Sequence, residues 1–161
     1  MNRQDTHHFA HHFPPISELL PHRGPMALLE RLIEAEPQRV RCTVVLREES
    51  PFCREGRVPS YVGIEYMAQA AGVLISWPDH LEGKKEAGVG FLVSVRKFNT
   101  RVDGFAAGET LTVEAKEMMR DNDNGIGVMA CSIYASSGDL LAKGQLTAYQ
   151  PKDLDAFLKT T

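Results

Sequence analysis

The sequence predicts an α+β domain in which one long central helix is wrapped by a curled antiparallel sheet. Three observations predict it. Val58–Ile75, "VPSYVGIEYMAQAAGVLI", is apolar or small nearly all the way round a helix, and such a helix must be covered on more than one side. Two segments before it and four after it read as strands. The late segments are separated by "DNDNG" and "SSGD", residues that favour hairpin turns. A curled sheet of about five to seven strands would cover one side of the helix, and a second copy of the protein much of the rest.

Each element has its own signature. Residues 1–15, "MNRQDTHHFAHHFPP", carry His7, His8, His11 and His12 without periodicity. They are expected to form a mobile tail, able at most to hold a metal weakly. A single domain is expected over 16–150 and a C-terminal tail, a frayed helix, over 151–161. Ile16–Leu20 reads as a helical turn or two with Ser17 as cap. Leu20–Met26, "LPHRGPM", is an ordered loop, because two prolines and a glycine punctuate it. Ala27–Ala35 has good helix formers, yet a strand suits its neighbours better. Gln38–Glu48 alternates with a period of two, which puts Val40, Cys42 and Val44 on one face. The turn at Glu36–Pro37 joins these two strands. After the loop Ser50–Pro59, a helix is expected over Ser60–Ile75, with Ser60 as N-cap and Trp77–Pro78 closing it. Gly88–Phe98, Thr110–Met118, Ile126–Ala135 and Leu140–Tyr149 are the late strands.

Composition bounds the function. The 161 residues suffice for one domain with a sizeable core. A formal net charge of −3 gives no overall pull toward nucleic acid or an anionic membrane. Cys42, Cys53 and Cys131 are an odd set at long separations, which suits a reducing compartment. No run is apolar and long enough for a membrane span, and the N-terminus lacks the apolar core of a signal peptide, so the cytoplasm is the expected location. No glycine-rich phosphate loop and no zinc-ligand spacing is present, and neither a cofactor nor a metal is expected.

Glu65 is the anomaly. A carboxylate in the middle of an apolar helix must be paired, protonated or used, since an unpaired buried charge is expensive. By helical spacing its neighbours are Tyr61, Ala68 and Gly72. An interfacial carboxylate paired to an arginine is the structural alternative to a functional acid.

"LLPHRGPMALLERL" (Leu19–Leu32) and "PSYVGIEYMAQAAG" (Pro59–Gly72) together resemble the hot-dog-fold beta-hydroxyacyl-acyl-carrier-protein dehydratases. The branch associated with aryl polyene gene clusters is the nearer match. "VRKF" (Val95–Phe98) and "AAGETLTVE" (Ala106–Glu114) also fit, so the resemblance covers about Ile16 to Tyr149. It implies a helix wrapped by an antiparallel sheet, and a dimer with its active sites at the interface. The substrate it implies is a 3-hydroxyacyl thioester on the phosphopantetheine arm of an acyl carrier protein, and the product a trans-2-enoyl thioester. Glu65 occupies the place of the family's catalytic carboxylate. The family's second catalytic group, a histidine contributed across the interface, has Pro51 in its place, with Phe52 keeping the adjacent aromatic. Arg54 and Ser60 stand where the family has glycines. A proline can neither take nor give a proton, so the ordinary pair cannot exist in this chain alone.

Dehydration needs a base for the C2 proton and an acid for the departing C3 hydroxyl. Burial would push the Glu65 carboxyl toward its protonated form. His22, in the "PHR" turn, either holds a loop carbonyl or takes part directly; His80 is less well placed. Small Ala68 and Gly72 would leave room for an acyl chain, while Tyr61, Phe52 and Met26 could line it. Arg23, Arg54 and Arg57 could meet an acidic carrier protein, or be ordinary surface charges. Three functions follow: a dehydratase working as a homodimer or heterodimer, a non-catalytic partner in a dehydratase heterodimer, and a hot-dog acyl thioesterase. The "PHR" loop and the Ala68–Gly72 run argue against the last.

Overall fold

The computed structural model describes residues 13–84 and 88–160. The histidines of the N-terminal segment, His7 to His12, lie outside them. The sheet is built from β1 (Arg31–Glu36), β2 (Arg39–Val45), β4 (Phe91–Thr100), β6 (Thr110–Asp121), β7 (Ile126–Tyr134) and β8 (Leu140–Tyr149). All its neighbours are antiparallel, in the order β1-β2-β6-β7-β8-β4. The long helix α1 (Gly63–Leu81) crosses one face and packs on β2, β6, β7 and β8. Two short strands, β3 (Arg57–Pro59) and β5 (Gly104–Ala106), form a separate pair beside the start of α1.

Alternation makes the sheet. Val40, Cys42 and Val44 of β2 point to the core, as do Leu111, Val113 and Ala115 of β6 and Met129, Cys131 and Ile133 of β7. The opposite face is polar. There Glu114 accepts from Arg39 at 3.3 Å and lies 3.2 Å from Arg41 Nε, tying β2 to β6. The β6–β7 turn is set by Asp121, whose Oδ1 accepts from the backbone N–H of Asp123 and of Asn124.

The sheet is open, which corrects the expectation of a curled sheet wrapping the helix. β1 and β4 are its two edges and do not pair with each other. The sequence argument gave one side of the helix to the sheet and much of the rest to a second copy of the protein. The side turned away from the sheet is instead covered in part by the segment before β1, where Leu19 and Leu20 are fully buried. Leu20 rests so close on Gly72 that a Cβ there would lie 2.8 Å from Leu20 Cδ2.

The helix also departs from its expected ends. Ser60–Val62 is a 3-10 turn leading into α1, so Val62, not Ser60, stands at the N-cap of α1, without a side-chain capping bond. Pro78 lies inside α1 rather than after it. A proline near the C-terminal end removes only one backbone bond of the helix. Packing holds the last turn: the Trp77 ring stacks on His80 at 5.7 Å and meets the edge of Phe13 at 5.6 Å. At the chain's end, α2 (Leu154–Lys159) is capped by Asp153, which accepts from Ala156 N, and Phe157 packs on Phe91 and Tyr149.

Candidate active site

Glu65 is the third residue of α1. The loop before β1 brings His22 to it, with Nε2 3.7 Å from Glu65 Oε1. Pro21 and Pro25 restrict this loop, and Arg23 staples it by donating to the carbonyls of Leu20 and His22. His22 Nδ1 is buried without a hydrogen-bond partner in the protein. The pair is not sealed: 33% of the His22 side chain and 38% of the Glu65 side chain are exposed. The burial expected around Glu65 is therefore not supplied by this chain's own residues.

Gln69 completes the group. Only 1% exposed, it donates from Nε2 to Glu65 Oε1 at 3.0 Å and to the Met26 carbonyl at 2.8 Å. Its Oε1 accepts from Leu28 N at 3.0 Å. One amide thus orients the acid and ties the His22 loop to α1. Sequence reasoning missed it. The available signal was an amide inside the Ala68–Gly72 run, since a buried Gln must find partners for both ends of its amide.

Glu65, His22 and Gln69 stand at one end of a cavity of about 150 Å³. Its walls are otherwise apolar or small: Leu20, Ala68, Gly72 and Ile75 on one side, Phe91, Leu92, Leu146 and Ala148 on the other. A cleft of about 370 Å³ at the far end of α1 is larger but holds none of these three residues. The smaller cavity is where proton chemistry and an apolar wall meet.

The other expected site residues are placed as follows. Ala68 and Gly72 line the cavity, although the space over Gly72 is occupied by Leu20. Tyr61, Phe52 and Met26 are exposed and do not line it; Tyr61 has 68% of its surface accessible. Arg57 donates from Nη2 to the Gly104 carbonyl, and the backbones of Arg54 and Arg57 bond to each other across a tight turn. Pro51 has a structural place of its own. Cys53 N donates to Ser50 O, and Phe52 has φ 67°, so Pro51 and Phe52 occupy the central positions of a β-turn with positive φ at the second. Proline suits the first of those positions. His80 stacks on Trp77 and does not line the cavity. Among the described residues, no three His, Cys, Asp or Glu side chains are grouped as metal ligands would be.

Comparison with known proteins decides the family. The profile of the ApeP-like dehydratases (ApeP dehydratase) matches residues 14–159. The chain belongs to the ApeP-like dehydratase family. This is the hot-dog branch linked to aryl polyene biosynthesis, and it is related to the FabZ dehydratases. The 3-hydroxyacyl-acyl-carrier-protein dehydratase FabZ of Ruminiclostridium cellulolyticum is 32% identical over 139 residues, covering 81% of this chain and 91% of that protein. Among solved structures, a chain of the dehydratase heterocomplex ApeI:P from Xenorhabdus doucetiae superposes with a TM-score of 0.84 at 28% identity, covering 93% of this chain and 99% of that one. A hypothetical thioesterase from Streptococcus pneumoniae, solved with coenzyme A, has a TM-score of 0.58 at 15% identity over 75% of this chain and 84% of its own, and shares the fold alone. As an ApeP-like dehydratase the chain is a hydro-lyase by family, and no helix among its described residues is long and apolar enough to cross a membrane.

Proposed function

We propose that this chain is a subunit of a dehydratase that forms trans-2-enoyl thioesters from 3-hydroxyacyl groups on an acyl carrier protein, with Glu65 as the acid and His22 as the base. The observation that carries it is the 3.7 Å approach of His22 Nε2 to Glu65 Oε1 at the end of an apolar cavity. His22 Nε2 takes the proton from C2. The electron pair of that C–H bond becomes the C2–C3 double bond, and the C3–O bond breaks. Glu65 gives its proton to the departing oxygen, which leaves as water. Proton return from His22 to Glu65 across the short gap resets the pair. Gln69 fixes the direction in which the carboxyl presents its oxygens.

The working form is a pair of subunits. β4 is an unpaired edge carrying the exposed Leu92 and Val93, and such an edge invites another strand. Leu92 also lines the cavity, so a subunit docked there would adjoin the site. The Xenorhabdus relative comes from a dehydratase heterocomplex, which favours a homologous, histidine-bearing partner over a second copy. Arg54 and Arg57, exposed near the start of α1, would steer an acidic carrier protein toward it.

The test is enoyl-thioester formation from 3-hydroxyacyl-carrier protein, by the chain alone and mixed with a histidine-bearing homologue. The chain alone is expected to be slow, and Glu65→Gln to lower turnover by ~10²–10⁴ without changing the melting temperature. Full activity in the isolated chain, undiminished by His22→Asn, would remove His22 from the mechanism. Pro51 favours a second reading, a non-catalytic partner. It would be established by a complex whose turnover ignores Glu65→Gln.

A further inference from the structure

The cavity beside Glu65 runs along one face of α1, touched in turn by Glu65, Ala68, Gly72 and Ile75. At 1.5 Å per residue, the wall from Glu65 to Ile75 is about 15 Å long. Beyond Ile75 the same helix lines the larger cleft of about 370 Å³ with Asp79. Strand β8 runs the same way. Leu146 and Ala148 line the cavity, and Gln150, just past the end of β8, lines the cleft. Two independent elements therefore lead from the acid, along the cavity, into the cleft. Ile75 is the one described residue that lines both spaces. The character of the walls changes there. On the Glu65 side they are apolar; on the far side stand the ion pairs Lys84–Asp79 and Arg120–Glu117, with Lys152 and Asp121.

We infer that the Ile75 side chain is the end wall of the acyl cavity and sets the longest acyl chain this subunit accepts. The inference rests on the dehydratase reading for the identity of the occupant, an acyl thioester, and adds which residue selects its length. A chain that ends before Ile75 buries every methylene against apolar walls and gains with each one. A longer chain must displace Ile75 or fold back, and loses affinity. Cutting Ile75 to alanine joins the cavity to the cleft, so a longer chain passes into a space open to water. An enlarged side chain shortens the cavity.

The experiment measures binding of saturated acyl-pantetheine thioesters of increasing length, and in parallel turnover of the matching 3-hydroxyacyl thioesters. It uses the full chain, with its dehydratase partner where one is needed for activity. The parent is expected to show affinity rising with length to a break and falling after it. Ile75→Ala moves the break to longer chains, raising the long-to-short affinity ratio at least tenfold, and Ile75→Phe moves it to shorter ones. Ile75→Leu, of equal size, keeps it near the parent's and guards against a variant that merely misfolds. An unchanged break in folded Ile75→Ala and Ile75→Phe, a parent with no break, or no acyl-pantetheine binding would overturn the inference. Binding with the expected shifts but no dehydration by any form would leave Ile75 as the wall and remove the dehydratase reading instead.

Discussion

Gln69 and Glu65 are joined one helical turn apart, with Gln69 Nε2 3.0 Å from Glu65 Oε1, and the same amide grips the backbone at Met26 and Leu28. The acid and the loop that carries His22 are therefore positioned by one side chain. Gln69→Leu would keep the bulk but leave the Met26 carbonyl and the Leu28 N–H without this partner. Met26 is exposed and Leu28 half-buried, so each bond lost costs about 0.5–1.5 kcal/mol and the two together about 1–3 kcal/mol. Denaturant unfolding should show a loss in that range, and turnover should fall by more than the lost folded fraction explains. Unchanged turnover in the folded variant would mean that Glu65 does not need this partner.

Gly72→Ala probes the same loop from the other side. The added methyl would meet Leu20 Cδ2 at 2.8 Å, and Leu20 is itself fully buried. Overpacking of this kind costs about 1–3 kcal/mol. The strain is transmitted to His22, two residues along, so the melting temperature and the His22-dependent rate should fall together. A variant as stable and active as the parent would show that the loop has slack.

Alkaline pH should weaken the fold. Burial pushes the Cys42 and Cys131 thiols up to about 12, above an ordinary value of about 8.5. Tyr66 is raised to about 12 as well, mainly by burial and further by Cys53. The folded state holds these protons where the unfolded chain releases them. Their stabilising effect is fully present below the unfolded values and is lost as pH rises toward the folded ones. Unfolding free energy should decline from about pH 8.5 to 12, at a limiting slope of about 1.4 kcal/mol per pH unit for each thiol. Cys42→Ala and Cys131→Ala should each flatten the slope. A curve level across that window would refute the assignment.

Pro51→His places a histidine in a turn whose first central position suits proline. Replacing proline at a compatible position costs about 0.4–1 kcal/mol through the unfolded state. The variant should therefore fold with a slightly lower melting temperature. If the remaining site is competent, it should raise enoyl-thioester formation by the isolated chain. No gain in a folded variant would show that a histidine at position 51 is not what the isolated chain lacks.

Much of this was legible. Period-two alternation placed Val40, Cys42 and Val44 in the core, and Glu65 was singled out because a carboxylate in an apolar helix must be paired, protonated or used. His22 was named from its loop. What was not legible depends on contacts between distant residues. β3 and β5 are three residues each and exist only because Arg57–Pro59 meets Gly104–Ala106. Pro78 reads as a stop, and only the packing of Trp77 against Phe13 and His80 explains why the helix continues. The open sheet was missed because closure depends on whether distant edge strands meet, and nothing local in the sequence says that Leu19 and Leu20, rather than a second copy of the protein, cover part of the back of α1.

The strand order has a consequence for how the molecule comes together and comes apart. β6, β7 and β8 are consecutive hairpins, whereas β4 reaches its place beside β8 only across the whole meander. Local pairings form before distant ones, because less chain must be closed to make them. β4 is therefore expected to join the sheet late and, as an edge, to detach first. Phe91 and Leu92 are one wall of the cavity beside Glu65. Local opening of that single strand would unroof the site while the meander stayed intact. In a hydrogen-exchange experiment, β4 amides that bond to β8 should exchange at a lower opening free energy than those of Cys131 or Leu146. Equal protection would mean that the roof and the floor of the cavity unfold as one unit.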